Sequence, residues 1–280
     1  MAPRRRIVSL SLVLVLALAT WTGPASGQSP SAPVETTDPE VISVVGLGDS
    51  FAGGQIGCFG ECRPFVQVYG DLVSEALDRP VEVTNLATSD SLESGGLLRR
   101  VTHDAAHREA LAGADVITVM IGWNDWQGPC FWEGWDDCFA ATQPKVETNL
   151  TAILDEISLL RAGQPTMLRV VTYFDPYVGW SGSPGVWGFD PGETTAFEAR
   201  FSEELTGFNA MLCRIAESHG GLCADTRTPI NGPEWDLEAV PEPADGALIL
   251  GGDDHIHPVK AGHQLIAEAI ARLGFAPLQE

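Results

Sequence analysis

Residues 41–50 read Val-Ile-Ser-Val-Val-Gly-Leu-Gly-Asp-Ser. Val41 to Leu47 is a short apolar run of strand length, and Gly48-Asp49-Ser50 closes it, so the stretch reads as a buried strand with a serine on the turn at its end. Gly46, Gly48, Gly53 and Gly54 surround that serine. Such glycines let the chain turn sharply and let another molecule approach closely. The N–H groups that follow can face a developing negative charge. Gly-Asp-Ser is also an ordinary turn tripeptide. The stretch therefore says more about fold than about chemistry until its neighbours are read.

Outward from it, strand-like runs recur at 81–86, 115–121, 167–173 and, more weakly, near 222–225. Helical patterns lie between them near 64–77, 96–111, 145–161 and 196–219, with a last one near 258–272. Asp115-Val-Ile-Thr-Val-Met-Ile121 has the composition of a strand buried on both faces. Leu150, Ile153 and Leu154 repeat at helical spacing, and Gly163 marks a stop after Arg161. Strands alternating with helices imply an α/β domain: a parallel sheet covered on both faces, joined by right-handed crossovers. Ligand sites in such sheets lie beyond the carboxyl ends of the strands. Ser50, the segment 85–90 and Asn124 all emerge there. No internal repeat is visible and one domain, 41–280, suffices.

Two distant segments add chemistry. Asp254-His255-Ile256-His257-Pro258 holds an imidazole and a carboxylate three residues apart, which a loop or a first helical turn can place on one side. A nucleophilic serine needs an imidazole to take its proton and a carboxylate to orient that imidazole. Pro258 sits where the first position of the last helix is expected. Asp253 and His255 compete for the same roles, and an ordinary Asp/His surface loop would look alike. Gly122-Trp123-Asn124-Asp125 follows the 115–121 run, and an Asn there can aim its amide at a substrate oxygen. Taken singly it is also an ordinary turn.

Together these segments resemble the GDSL or SGNH hydrolases, a family of esterases and lipases. Ser50 matches the first block as Gly-Asp-Ser-Phe, Asn124 matches the third as Gly-Trp-Asn-Asp, and Asp254 and His257 match the last as Asp-x-x-His-Pro. The resemblance spans about 41 to 273. It implies a three-layer α/β/α sandwich with a central parallel sheet of about five strands in flavodoxin-like order. It also implies a catalytic Ser50, His257 and Asp254, and an oxyanion hole formed by Ser50, Asn124 and a third donor. One block departs from the pattern. The family's Asn-x-x-x-x-Gly reads Asn85-Leu-Ala-Thr-Ser-Asp90 here, with Asp90 at the glycine position. The backbone N–H survives, but a carboxylate beside an oxyanion opposes it. Either Asp90 turns outward or Gly95 or Gly96 approaches instead.

The N-terminus reads as an export signal: Arg4 to Arg6, an apolar stretch from Ile7 to Ala19, then Ala25-Ser26-Gly27. The apolar part is shorter than an ordinary membrane span of about 20 residues. Segment 1–27 is therefore expected to be a signal peptide, general-secretory or twin-arginine, with 28–40 a flexible lead rich in Ser, Pro and Thr. A secreted, extracellular protein is expected. The six cysteines fall into close pairs: Cys58 with Cys62, Cys130 with Cys138, and Cys213 with Cys223. These read as disulfide staples in an oxidising compartment. No Cys-x-x-Cys occurs, so no metal is expected, and the family's reactions need no cofactor.

Formal charge is −22, and loss of Arg4 to Arg6, the only charges up to Gly27, leaves −25. Such a field disfavours nucleic acid and anionic membranes as partners. Trp123, Trp126, Trp132 and Trp135 follow the third strand, and Trp180 and Trp187 the fourth. Aromatics in loops at that end of a sheet wall a substrate pocket or pack the loops down; of these, Trp123, Trp126 and Trp180 are the candidates for substrate binding. The expected activity is hydrolysis of carboxylic esters through an acyl-enzyme by a secreted monomer without stable membrane insertion. Small-molecule, lipid and acylated-sugar esters all fit as substrates. The alternatives are an SGNH-fold carbohydrate- or surface-binding module without turnover, and a polysaccharide O-acetylesterase or acyltransferase.

Overall fold

The computed structural model describes residues 40–54, 63–126, 130, 135–176, 191–232 and 256–279, all within one compact unit, Pro39–Glu280. The expected signal segment and nearly all of the lead lie outside the described residues. The strands are β1 (Ile42–Gly48), β2 (Val81–Asn85), β3 (Val116–Met120), β4 (Met167–Val171) and β5 (Leu222–Ala224). They form one parallel sheet in the order β2-β1-β3-β4-β5. This is the flavodoxin-like order, whose direction of winding reverses beside β1. Val44 pairs with Val83 on one side and Val116 on the other.

Every residue of β3 is buried. Successive side chains of a strand point to opposite faces, so both faces of the sheet are covered. Helices Phe65–Leu77 and Lys260–Ala271 pack on each other, while Ser94–His103, Trp135–Leu160 and Pro191–Ser218 form a second group. The α/β/α expectation holds.

Helix boundaries differ from the sequence reading in instructive ways. The pattern at 96–111 is two helices, Ser94–His103 and Ala105–Ala112. Asp104 separates them: its extended backbone ends the first, and its carboxylate caps the second by accepting from the His107 N–H. The helix read from 145 begins at Trp135 and carries Pro144 inside it. The helix read from 196 begins at Pro191, a residue suited to a first helical position. Pro258 is not the first residue of the last helix. Val259 caps that helix and Lys260 begins it.

Two of the three expected disulfides are described. Cys130 is bonded to Cys138, and Cys213 to Cys223, the latter tying β5 to the Pro191–Ser218 helix. The third expected pairing, Cys58 with Cys62, is not among them. Cys58 and Cys62 both lie outside the described residues, in the segment 55–62 that follows the turn after β1. The staple expected there therefore remains an expectation of the sequence alone.

Candidate active site

β1 can end against β3 only because residue 48 has no side chain: a Cβ there would lie 2.3 Å from the Met120 carbonyl oxygen. Asp49 N–H donates to that oxygen at 3.2 Å. Asp49 then starts a short helical turn, Ser50–Gly53, its Oδ1 accepting from Phe51 N–H at 3.1 Å. The Asp49 carbonyl accepts from Ala52 and Gly53 N–H, and Gly54 closes the turn at φ +68°, a left-handed conformation that glycine takes without strain. Among the described residues the Ser50 N–H meets no acceptor. Ser50 is 6% exposed.

His257 arrives from the far end of the chain. Its Nε2 lies 2.8 Å from Ser50 Oγ, across 207 residues of sequence. Its ring packs against Phe51, with centroids 5.2 Å apart, which limits the orientations the imidazole can take. The other expected partners, Asp254 with its rivals Asp253 and His255, lie outside the described residues. Buried His263, pushed down to about 4 by burial and by the His257 charge, is neutral and accepts from Phe65 N–H at 3.3 Å. It serves the fold and is no second base.

Asn124 lies in a helical turn over 123–126, just beyond β3. One of its amide hydrogens is donated to the Leu92 carbonyl at 3.2 Å. A side-chain amide has two such hydrogens, so this bond orients the other. Leu92 belongs to the loop after β2, which starts alongside the serine turn: Leu86 N–H donates to Gly46 O at 2.8 Å and Thr88 N–H to Gly48 O at 3.2 Å. The backbone of Thr88 abuts Gly53, where a Cβ would lie 3.1 Å from Thr88 C. Asp90 itself turns outward. Its side chain is 83% exposed and lies 3.9 Å from the Arg100 guanidinium. Gly95 and Gly96 sit in the first turn of the Ser94–His103 helix, where Gly96 N–H is already donated to Glu93 O at 2.9 Å.

The tryptophans need a correction. Trp123 and Trp126 are 2% and 0% exposed. Trp126 stacks on Phe201 and meets Phe208 and Phe139, while Trp123 meets Phe51 and Tyr173. These indoles are core, because the turn after β3 folds inward over the sheet's end instead of standing open to solvent. Trp180 lies outside the described residues, as do Trp132, Trp187 and the side chain of Trp135.

Two buried aspartates adjoin the site. Asp49 accepts from the Tyr173 hydroxyl at 2.8 Å, and burial pushes its carboxyl up to about 7 against the lowering effect of that bond. Asp125 accepts from Ser94 N–H and Ser94 Oγ, each at 2.7 Å, and lies 3.6 Å from Lys145 Nζ. Burial raises its pKa too. Both residues stand next to a motif residue, which is a signal in the sequence; Tyr173 and Ser94 carry none, since the fold alone brings them there. Among the described residues, no group of three or more His, Cys, Asp or Glu is placed to hold a metal ion, and no helix is long and apolar enough to cross a membrane.

Residues 47–265 match the model of the GDSL-like lipase/acylhydrolase family. No curated protein matches the chain. Among solved structures, a lipase from a goat rumen metagenome is 20% identical with a TM-score of 0.64, covering 84% of this chain and 98% of its own. An extracellular lipase from Streptomyces rimosus is 20% identical with a TM-score of 0.57, covering 84% and 100%. An acetylxylan esterase from Geobacillus stearothermophilus is 19% identical with a TM-score of 0.55, covering 84% and 94%. At these identities the likeness is one of fold.

Proposed function

We propose a mechanism from one premise: this chain belongs to the GDSL-like lipase/acylhydrolase family and is an ester hydrolase. Ser50 is the nucleophile. Its Oγ attacks the ester carbonyl carbon while His257 Nε2 takes the hydroxyl proton. The tetrahedral intermediate then collapses, the alcohol leaves with that proton, and the acyl group stays on Ser50. Water, deprotonated by the same imidazole, releases the acid. Asp254 orients His257. The oxyanion is held by the N–H of Ser50, the free amide hydrogen of Asn124 and the N–H of Asp90, all on the rim formed by the ends of β1, β2 and β3.

The observation that carries this reading is the 2.8 Å approach of His257 Nε2 to Ser50 Oγ. The outward Asp90 side chain supports it, since the residue's backbone can then serve without its charge opposing the intermediate. That orientation also takes away one of the two reasons for a binding module without turnover, the charge at position 90, and leaves the other, the aromatic loops. The protein is secreted, a reading that the two disulfides and the N-terminal segment favour. Lipid esters and acetylated sugars, suggested by the names of the structurally similar lipases and acetylxylan esterase, are candidates beside small acyl esters, with Trp180 proposed on the substrate side.

An organophosphonate ester should modify Ser50 and no other serine. Ser50→Ala and His257→Ala should each lower kcat on a short-chain aryl ester by roughly a thousandfold or more. Substantial turnover by pure Ser50→Ala protein would sink the assignment.

A further inference from the structure

Asp49 is fully buried, one residue before Ser50, and the reaction as drawn gives it no task. Its two oxygens serve different partners. Oδ1 accepts from Phe51 N–H at 3.1 Å within its own turn, and Oδ2 accepts from the Tyr173 hydroxyl at 2.8 Å. The Tyr173 oxygen in turn accepts from Trp123 N–H at 3.4 Å, and Trp123 immediately precedes Asn124. Tyr173 lies just beyond β4 and is itself pinned: its N–H donates to Asn209 Oδ1 at 3.0 Å and its carbonyl accepts from Asn209 Nδ2 at 2.7 Å. A buried chain of hydrogen bonds thus runs from the turn with the nucleophile to the turn with the oxyanion amide, through a side chain from a third strand.

Donor arithmetic fixes the charge this chain needs. With Asp49 a carboxylate, Oδ1 accepts from Phe51 N–H, Oδ2 from the Tyr173 hydroxyl, and the Tyr173 oxygen from Trp123 N–H, so each donor has its acceptor. A proton on Oδ2 directed at the Tyr173 oxygen displaces the hydroxyl hydrogen from its bond to Asp49. A proton on Oδ1 collides with Phe51 N–H. Either placement strands a buried donor, which is costly.

We propose that Tyr173 and Asp49 are positioning residues of the hydrolysis: the Tyr173 hydroxyl fixes the spacing of Ser50 and Asn124, and does so only while Asp49 is a carboxylate. The inference rests on Ser50 being the nucleophile. The groups facing Asp49 are the Phe51 N–H on its own turn, Tyr173 beyond β4, His257 from the C-terminal segment and Asp125 beyond β3. Burial, aided by Asp125, pushes Asp49 up to about 7 while the two donors and His257 pull it down.

The test measures kcat and KM on a short-chain aryl ester from about pH 5 to pH 9. Wild type, Tyr173→Phe and Asp49→Asn are compared, each normalised to Ser50 titrated by the organophosphonate. Wild-type log kcat should fall more steeply toward its acid end than that of Asp49→Asn, since only the wild type needs a carboxylate at position 49. Tyr173→Phe keeps the ring in its packing and decides the matter even if Asp49→Asn fails to fold. It should lower kcat about tenfold, equivalent to roughly 1.4 kcal/mol, with KM within about twofold. Its acid limb should lose the Asp49 step and become as shallow as that of Asp49→Asn, because no hydroxyl is left for the carboxylate to hold. A Tyr173→Phe enzyme whose profile has the wild-type shape and position overturns the inference, whether or not kcat is lower throughout. Wild-type Ser50 that takes no phosphonate overturns the serine mechanism itself, and this inference with it.

Discussion

The turn after β1 and the turn after β3 each set a buried aspartate beside a residue proposed to meet the substrate, but the two aspartates live in different company. Asp49 has only neutral donors, Phe51 N–H and the Tyr173 hydroxyl, within bonding distance. Asp125 has two bonds from Ser94 and a cation, Lys145, at 3.6 Å. Both are raised by burial, yet Asp49 is driven up to about 7. The difference separates two ways of holding an active-site loop. Asp125 is a fixed rivet that fastens the start of the Ser94–His103 helix beside Asn124. Asp49 is a joint that works when charged and relaxes when it gains a proton.

The largest effect expected from this contrast is on stability against pH. A carboxyl at about 7 in the folded protein and near its ordinary 3.8 when unfolded keeps its proton longer in the native state. On that account native stability is greatest at the acid end and falls as pH rises from about 4 to 7, by up to about 4 kcal/mol. Urea unfolding of wild type and Asp49→Asn across that range should show the asparagine variant losing this slope. Parallel curves would place the Asp49 ionisation elsewhere and break the contrast. Next comes Asp125→Ala, which strands the Ser94 N–H and hydroxyl and should cost about 3 kcal/mol at pH 7 by the same measurement. A cost below about 1 kcal/mol would mean that the rivet is idle. The smallest effect belongs to a third aspartate outside the pair. Asp90 faces solvent beside Arg100, so Asp90→Gly should leave turnover of a short-chain aryl ester within a factor of about two. A rise of tenfold or more would show its charge acting on the oxyanion after all.

Much of this was legible in the chain. The apolar runs at 41–47 and 115–121, alternating with helical patterns, point to a covered parallel sheet, while the winding order came only from the family resemblance. The approach of His257 to Ser50 was legible as a need of the chemistry. What escaped has a common cause. Tyr173, Ser94 and Lys145 reach the site from separate elements, and no local pattern marks a residue whose partner lies in another strand. The direction of Asp90 depends on Arg100, ten positions on, and on a helix starting between them. Trp123 and Trp126 looked like loop residues because glycines and aspartates surround them, while the inward fold of their turn is set by Phe201 and Phe208 far along the chain.

The disulfide at the end of the sheet has a consequence beyond stapling. Among the described residues β5 closes the sheet as a strand of three residues, and its Leu222 is 43% exposed. An outermost strand offers an unpaired row of backbone donors and acceptors on which another chain can template, and brevity and attachment are ways to blunt it. Here the same strand is bolted through Cys223 to the helix that packs over it. The bond thus guards the molecule against its own copies. Reduction of the Cys213–Cys223 bridge should therefore bring aggregation first and loss of catalysis only second.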